Sequence, residues 1–280
     1  MKKDRLENIL HKIQSRQPVI MGVLNVTPDS FSEQGRHYNK DIAIKAGLQM
    51  IEDGADILDI GGESTRPGAE TVSVKEEISR VLPVITALAK EGAVLSIDTY
   101  HAQTMRAAID SGASIINDVT ALQAEAESID VVKSCEAPVC LMHMQGTPED
   151  MQKNPEYGDV VEEVFAFLKH RIDYCESHGV EKDRIWVDPG IGFGKTLEHN
   201  LILLRHLDKL SDLGCPVLLG VSRKSFIEKI CGPVPPDERL PGTISACLHG
   251  WQKGAGIFRV HDVREFKQAM DVWRVIENNH

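Results

Sequence analysis

The chain has 280 residues, 42% of them hydrophobic and 26% charged, the balance of an ordinary soluble globular protein. A formal net charge of −11 argues against nonspecific binding to nucleic acid or to an anionic membrane surface, so an anionic substrate needs a local cationic pocket. No run reaches the ~18 apolar residues of a membrane helix, and the six cysteines (135, 140, 175, 215, 231, 247) form no C-x-x-C pair, which points to free thiols in a reducing cytoplasm.

Residues 1–17 have a basic start but no apolar core or small-residue cleavage site, and read as an N-terminal extension rather than a signal peptide. From residue 18 onward, short apolar runs alternate with amphipathic segments. "VIMGVLN" (19–25) is followed by a long connection (26–40) and by "DIAIKAGLQMIEDGAD". "DILDIGG" (56–62) leads into a second long connection (62–73) and then "SVKEEISRVLPVITALAKEG". "VLSIDT" (94–99) and "SIINDV" (114–119) come next, then "VCLMH" (139–143), a third long connection (144–159) and "DVVEEVFAFLKHRIDYCESHG". "IWVDPG" (185–190), "VLLGVS" (217–222) and "IFRVH" (257–261) complete the set.

Each run has the length and aliphatic character of a strand buried on both faces. Gly54, Gly112 and Gly254 stand where helices stop before the next strand, the usual place for a left-handed residue. Alternating strands and helices imply a parallel sheet. Eight such units without a Pro-, Gly- or Ser-rich linker predict an α/β fold, a single (β/α)8 TIM barrel over residues 18–280, with long βα loops at its C-terminal face.

The stretch "DPGIGFGKT" (188–196) imitates a nucleotide-binding loop but fits neither common template. The P-loop needs a glycine where Pro189 stands, and the dinucleotide fingerprint needs one at Lys195. What remains is a turn headed by a carboxylate, Asp188.

Active sites of this fold lie at the C-terminal ends of the strands. Those ends carry Asn25, Asp59, Asp98, Asn117, His143, Asp188, Lys224 (just past its strand), Arg259 and His261. Asp98 and Asp188 each have a plainer explanation as helix caps. Together with Asn117 they form a hydrogen-bonding set suited to a flat, nitrogen-rich heterocycle. Arg259 and His261, separated by one residue, should project the same way and suit an anion such as phosphate, with Arg66 of the second long loop a third cation. The plainer explanation for that pair is a surface ion pair with a neighbouring acid; for Lys224 it is a solvated lysine at a helix start. His143 reads as a supporting residue, Trp186, Trp251 and Trp273 as packing residues, and Asn25 could offer its amide oxygen to a Mg2+ otherwise held by phosphate and water.

In order, "MGVLNVTPDSFS", "DIGGESTRPGA", "SIDT", "INDVTAL", "LMHMQGTPEDMQ", "DPGIGFGK", "GVSRKSFI", "RLPGT" and "FRVHDV" resemble the dihydropteroate synthase family of pterin-binding barrels over almost the whole chain. The resemblance implies condensation of a dihydropterin methyl pyrophosphate with p-aminobenzoate to give dihydropteroate and pyrophosphate. By matching motif positions it implies that Asp98, Asn117 and Asp188 hold the pterin ring. Lys224 would contact the pterin and border the p-aminobenzoate pocket, with Phe193, Pro67 and Ser225 nearby. Asn25 would ligate Mg2+ on the pyrophosphate, Arg259 and His261 would bind that leaving group, and Thr65 and Arg66 would close over it. Lys224, Asp188, Arg259 and His261 are thereby the expected catalytic set, and a cytoplasmic homodimer, joined through the last helices, the expected assembly.

In the first loop, "SFSEQG" stands where the family usually has "SFSDGG". Glu33, following Phe31, keeps the carboxylate on a longer arm, and Gln34 replaces a glycine that eases the turn. A methyltetrahydrofolate-dependent methyltransferase would share the Asp and Asn set, yet it needs neither the "SRK" lysine nor a pyrophosphate cradle. A non-catalytic pterin-binding relative would be expected to lose loop residues or break "RVH", which is intact.

Overall fold

The aliphatic runs, with no polar face to offer solvent, find apolar surroundings by closing on one another. The computed structural model, which describes residues 2–27, 35–63, 72–147 and 150–277, has eight parallel strands in a closed barrel, hydrogen-bonded in sequence order. The strands are β1 (Val19–Asn25), β2 (Ile57–Gly61), β3 (Leu95–Asp98), β4 (Ile115–Asp118), β5 (Val139–Met142), β6 (Ile185–Asp188), β7 (Val217–Leu219) and β8 (Ala255–Val260). Ten helices surround or close the barrel among the described residues: α1 (Lys2–Gln14), α2 (Gly35–Glu52), α3 (Val74–Lys90), α4 (Ala102–Ser111), α5 (Ser128–Ser134), α6 (Val160–Ser177), α7 (Leu197–Arg205), α8 (Ser225–Cys231), α9 (Leu240–Gln252) and α10 (Val263–Glu277).

Helix starts follow local chemistry. Ser73 accepts from the Glu76 N–H at α3, Asp159 from the Val161 and Glu162 N–H groups at α6, and Thr196 forms a capping box with His199 at α7. Gly54, Gly112 and Gly254 all have positive φ, as helix-ending glycines should. Most strand ends shift by one or two residues from the sequence reading, and two boundaries differ by more. Helix α2 begins at Gly35, so the first connection ends before residue 40; "RHYNK" holds no proline or β-branched residue to stop the helix growing backwards. Strand β7 spans only Val217–Leu219, ending three residues before the run does, and its register against β8 shifts between Val217 and Leu218.

The main core lies between the strands and the surrounding helices, while a smaller cluster fills the barrel axis with Val19, Met21, Ile57, Ile115, Trp186 and Ile257. The N-terminal helix closes one end of that axis. Ile9 is buried in the smaller cluster, and Leu6, Leu10 and Ile13 pack against it. Arg5 donates to the Gly92 carbonyl at 2.6 Å and Lys12 pairs with Asp56 at 2.5 Å, which pins α1 across the bottom. Polar chemistry is thereby left to the other end, where the strand C-termini meet. No helix among the described residues is long and apolar enough to cross a membrane, and all six cysteines are free thiols.

Candidate active site

The register of the barrel brings strand-end residues side by side. Gly61 pairs with Asp98, Asp98 with Asn117, and Met142 with Asp188. Asp98 and Asp188 do not cap the helices that follow: the N-cap of α4 is His101 and that of α7 is Thr196. Both carboxylates belong to the barrel mouth instead. Asp188 accepts from the Gly190 N–H at 2.7 Å, and Asp98 takes the Arg259 guanidinium at 2.7 Å.

Arg259 makes a second contact, Nε to Asp59 Oδ2 at 2.6 Å, and Asn117 Nδ2 donates to the same oxygen at 3.0 Å. The ion pair that is the plainer explanation for Arg259 thus exists, but inside the barrel: Asp59 is fully buried and Asp98 nearly so. Arg259 meets acids on β2 and β3, while the His261 ring lies 2.9 Å from Ser222 Oγ, just past β7.

Lys224 is not a solvated helix-start residue. It occupies the N-cap of α8, yet its ammonium turns inward, donates to the Ile191 carbonyl and sits 4.5 Å from the centroid of the Phe193 ring. Ser225 begins α8 and is exposed. Burial pulls Lys224 down to about 8, against the attraction of Asp188. Burial likewise raises Asp188, with Lys224 opposing, and pushes Asp98 up to about 7 against the pull of Arg259, with Asp59 adding to the rise. One oxygen each of Asp59 and Asp98 is buried without a hydrogen-bond partner, which in an acid-lined mouth marks acceptors for a ligand's N–H groups.

The "DPGIGFGK" loop owes its shape to its neighbour across β5. Gly190 and Gly194 have φ of +65° and +58°, and a Cβ would meet the His143 carbonyl oxygen at 1.9 Å or that of Gln145 at 2.3 Å. These glycines let two loops touch backbone to backbone. Lys195, to which the sequence reading gave no role, holds the contact from within. Only 1% exposed, it donates to the carbonyls of Gly190 (3.0 Å) and Phe193 (2.9 Å) and lies 2.9 Å from His143 Nδ1. Burial lowers Lys195 to about 7, and burial with that ammonium beside it lowers His143 to about 3, so His143 is a neutral acceptor and supports the loop. The third long loop is tied down too: Tyr157 donates to the Gly194 carbonyl at 2.8 Å and Gln152 to that of Gly192 at 2.6 Å.

Asn25 ends β1 beside the gap at Gly61, where an added Cβ would lie 3.8 Å from Asn25 Oδ1 and 3.7 Å from Asp98 Oδ2. No group of three or more His, Cys, Asp or Glu that could hold a metal ion occurs among the described residues. A single amide oxygen suits a Mg2+ that takes its other ligands from phosphate and water, and does not make a protein cage. Phe31, Glu33, Thr65, Arg66 and Pro67 lie outside the described residues. Asp59 and Lys195 are the participants that sequence reasoning passed over. Asp59 had the signal of a strand-end position, whereas Lys195 meets Gly190 and Phe193 only through the turn of its own loop and His143 from a loop 52 residues away.

Comparison with known proteins agrees with this geometry. The family model of pterin binding enzymes matches residues 21–261. Dihydropteroate synthase of Escherichia coli (strain K12) is 46% identical over 261 residues, covering 93% of this chain and 91% of that protein. The Synechocystis enzyme of the same name is 45% identical over 264 residues, covering 92% and 91%. Among solved structures, Xanthomonas albilineans dihydropteroate synthase with 4-aminobenzoic acid superposes with a TM-score of 0.89 at 46% identity, covering 94% of each chain. The same enzyme in complex with 7,8-dihydropteroate gives 0.85 at 44%, covering 94% of this chain and 95% of that one. The chain belongs to the pterin-binding enzymes, and within them to the dihydropteroate synthases.

Proposed function

We propose that the barrel mouth condenses 6-hydroxymethyl-7,8-dihydropterin pyrophosphate with p-aminobenzoate, releasing pyrophosphate, and that the residues converging there divide the work. Asp98, Asn117 and Asp188 hold the pterin ring. The observation that carries this reading is the buried, unpartnered Asp98 oxygen beside Asn117, an acceptor and an amide in register on adjacent strands. Gly61 and Gly220 leave room beside them: a Cβ on Gly220 would stand 3.7 Å from Asp188 Oδ2 and 3.9 Å from Lys224 Nζ. Lys224 and Phe193 form the wall against which the arylamine lies, with Ser225 and, from the second loop, Pro67 at its edge.

An arylamine is unprotonated near neutral pH, so the site needs no strong base. The harder step is departure of pyrophosphate from the pterin methylene. His261 and Arg259, with Thr65 and Arg66 from the second loop, neutralise the leaving group, and Asp98 and Asp188 form an acidic wall for positive charge developing on the ring. Arg259 is held by Asp59 and Asp98 in the structure, so it serves the anion while still anchored on Asp59. A Mg2+ with Asn25 as its protein ligand would supply further charge neutralisation on the pyrophosphate. Phe31 and Glu33 on the first loop and the residues of the second shield the methylene from water. These features favour a dissociative substitution; a secondary isotope effect near unity at the methylene would contradict it.

Free, mostly buried thiols support a cytoplasmic setting. The exposed Val272, Val275 and Ile276 on α10 give the expected homodimer an apolar face, which sedimentation equilibrium would test. The function itself is tested by pyrophosphate release from the purified chain with the dihydropterin pyrophosphate and Mg2+, with and without p-aminobenzoate. Release that depends on the arylamine, with dihydropteroate formed in step, supports the synthase; pterin binding without product contradicts it.

A further inference from the structure

Arg223, between the Ser222 that meets His261 and the Lys224 that meets Phe193, is a non-glycine residue with φ of +60°. Such a backbone persists only where its surroundings over-determine it. Its N–H donates to Thr243 Oγ1 at 3.0 Å, and its carbonyl accepts from Arg239 Nη1 at 3.0 Å. Arg239 is itself buried, donating to the Val234 carbonyl at 2.8 Å and pairing with Glu228. The "RLPGT" motif, to which the catalytic reading gave no task, thus grips both sides of one strained residue.

The Arg223 side chain faces the other way. Nε lies 3.0 Å from Asp262 Oδ2 and a second nitrogen takes Oδ1, the forked geometry open to arginine and closed to lysine. Asp262 directly follows His261. Two rungs therefore tie the turn after β7 to the turn after β8: Ser222 to His261, and Arg223 to Asp262. A partly exposed ion pair contributes little to stability, and glycine would take this backbone without strain. Fixed geometry is what the arrangement provides and a stabilising contact alone would not.

We propose that Arg223, held left-handed by Thr243 and Arg239 and clasping Asp262, is a positioning residue that sets Lys224 and His261 relative to each other. The clasp rests on the roles given above to those two residues. It makes the arylamine side and the leaving-group side of the site one rigid unit, so that the methylene is presented to the amine only when the pyrophosphate is seated.

Full-length Arg223→Lys, Arg223→Gly, Asp262→Asn and the double Arg223→Lys/Asp262→Asn test this. For each, kcat and both KM values are measured, together with calorimetric affinities for the dihydropterin with and without its pyrophosphate, and Tm. The clasp predicts a kcat at least tenfold lower and loss of at least tenfold of the affinity that the pyrophosphate adds. Affinity for the dihydropterin lacking pyrophosphate should stay within twofold, because Asp98, Asn117 and Asp188 are untouched. Arg223→Gly, though unstrained, should do no better than Arg223→Lys, and the double variant should fall no further than either single one. Asp262→Asn keeps the side-chain shape and reads the same loss if an Arg223 variant folds poorly. Arg223→Gly with wild-type kcat and KM values overturns the proposal, as do losses of both affinities and Tm in step. Absence of turnover in the unmodified chain would count against the catalysed reaction, while the two affinities still decide the clasp.

Discussion

Arg259 reaches across the barrel mouth to Asp98, Nη2 to Oδ2 at 2.7 Å, past the intervening strands β1 and β2. Its Nε simultaneously holds the fully buried Asp59. The two acids therefore differ in kind. Asp59→Asn leaves Arg259 on Asp98 alone and turns a fully buried acceptor away from its Nε, and should cost about 1–3 kcal/mol in urea unfolding. Asp98→Asn leaves Arg259 on Asp59 and should cost clearly less stability. It should weaken pterin binding by about tenfold or more, since a hydrogen bond to a charged group contributes ~1.5–3 kcal/mol. Equal stability losses for the two variants would contradict this division.

The pH dependence of kcat/KM should be bell-shaped. Asp98, pushed up to about 7 by burial, accepts from the pterin only when ionised, so activity rises as pH increases through that value. Lys224, pulled down to about 8 by burial, loses its charge above it, so activity falls on the alkaline side. Asp98's raised value has a consequence for stability of the free protein. The native state holds this proton more tightly than the unfolded chain, so its contribution is complete below pH ~4 and lost as pH rises through about 7. A flat profile of kcat/KM between pH 6 and 9 would contradict both assignments.

The three glycines of "GIGFG" should separate by partner. Gly190→Ala and Gly194→Ala drive a Cβ into the carbonyl oxygens of His143 and Gln145, on top of the ~1–2 kcal/mol penalty of a left-handed non-glycine residue, and should fold poorly or lose several degrees of Tm. Gly192→Ala meets only the flexible Lys224 Cδ, at 3.0 Å. It should fold with a smaller penalty and raise KM for p-aminobenzoate by displacing the lysine. A Gly192→Ala chain with unchanged KM would dissociate Phe193 and Lys224 from the arylamine wall.

Gly220→Ala probes the room left for the pterin. Its new methyl group would make ordinary contacts with Asp188, Lys224 and Arg259, at 3.7 to 4.0 Å, so stability should change by no more than ~0.5 kcal/mol. Pterin affinity should fall at least tenfold, because the methyl group stands in the binding space. Unimpaired calorimetric binding would put the pterin elsewhere.

Much of this architecture was legible in the sequence because strands buried on both faces leave an unbroken aliphatic run, and the barrel is made of eight of them. The strand ends then exposed Asp98, Asn117, Asp188, Lys224 and Arg259 by position alone. Asp59 stood in the same row, but nothing local distinguishes an acid that meets a ligand from one that anchors an arginine two strands away. Lys195 was harder still. Its meaning lies in the Gly190, Phe193 and His143 acceptors, which only the folded loops bring together.

The assignment of the condensation to the strand-end acids and Lys224 stands or falls with kcat/KM of Asp188→Asn, an isosteric change at a buried rim carboxylate, measured beside the Tm of the same preparation. A fall of at least a hundredfold is expected, about 2.7 kcal/mol of transition-state stabilisation, with Tm within a few degrees of the unmodified chain. A folded Asp188→Asn enzyme with near-wild-type kcat/KM would contradict it.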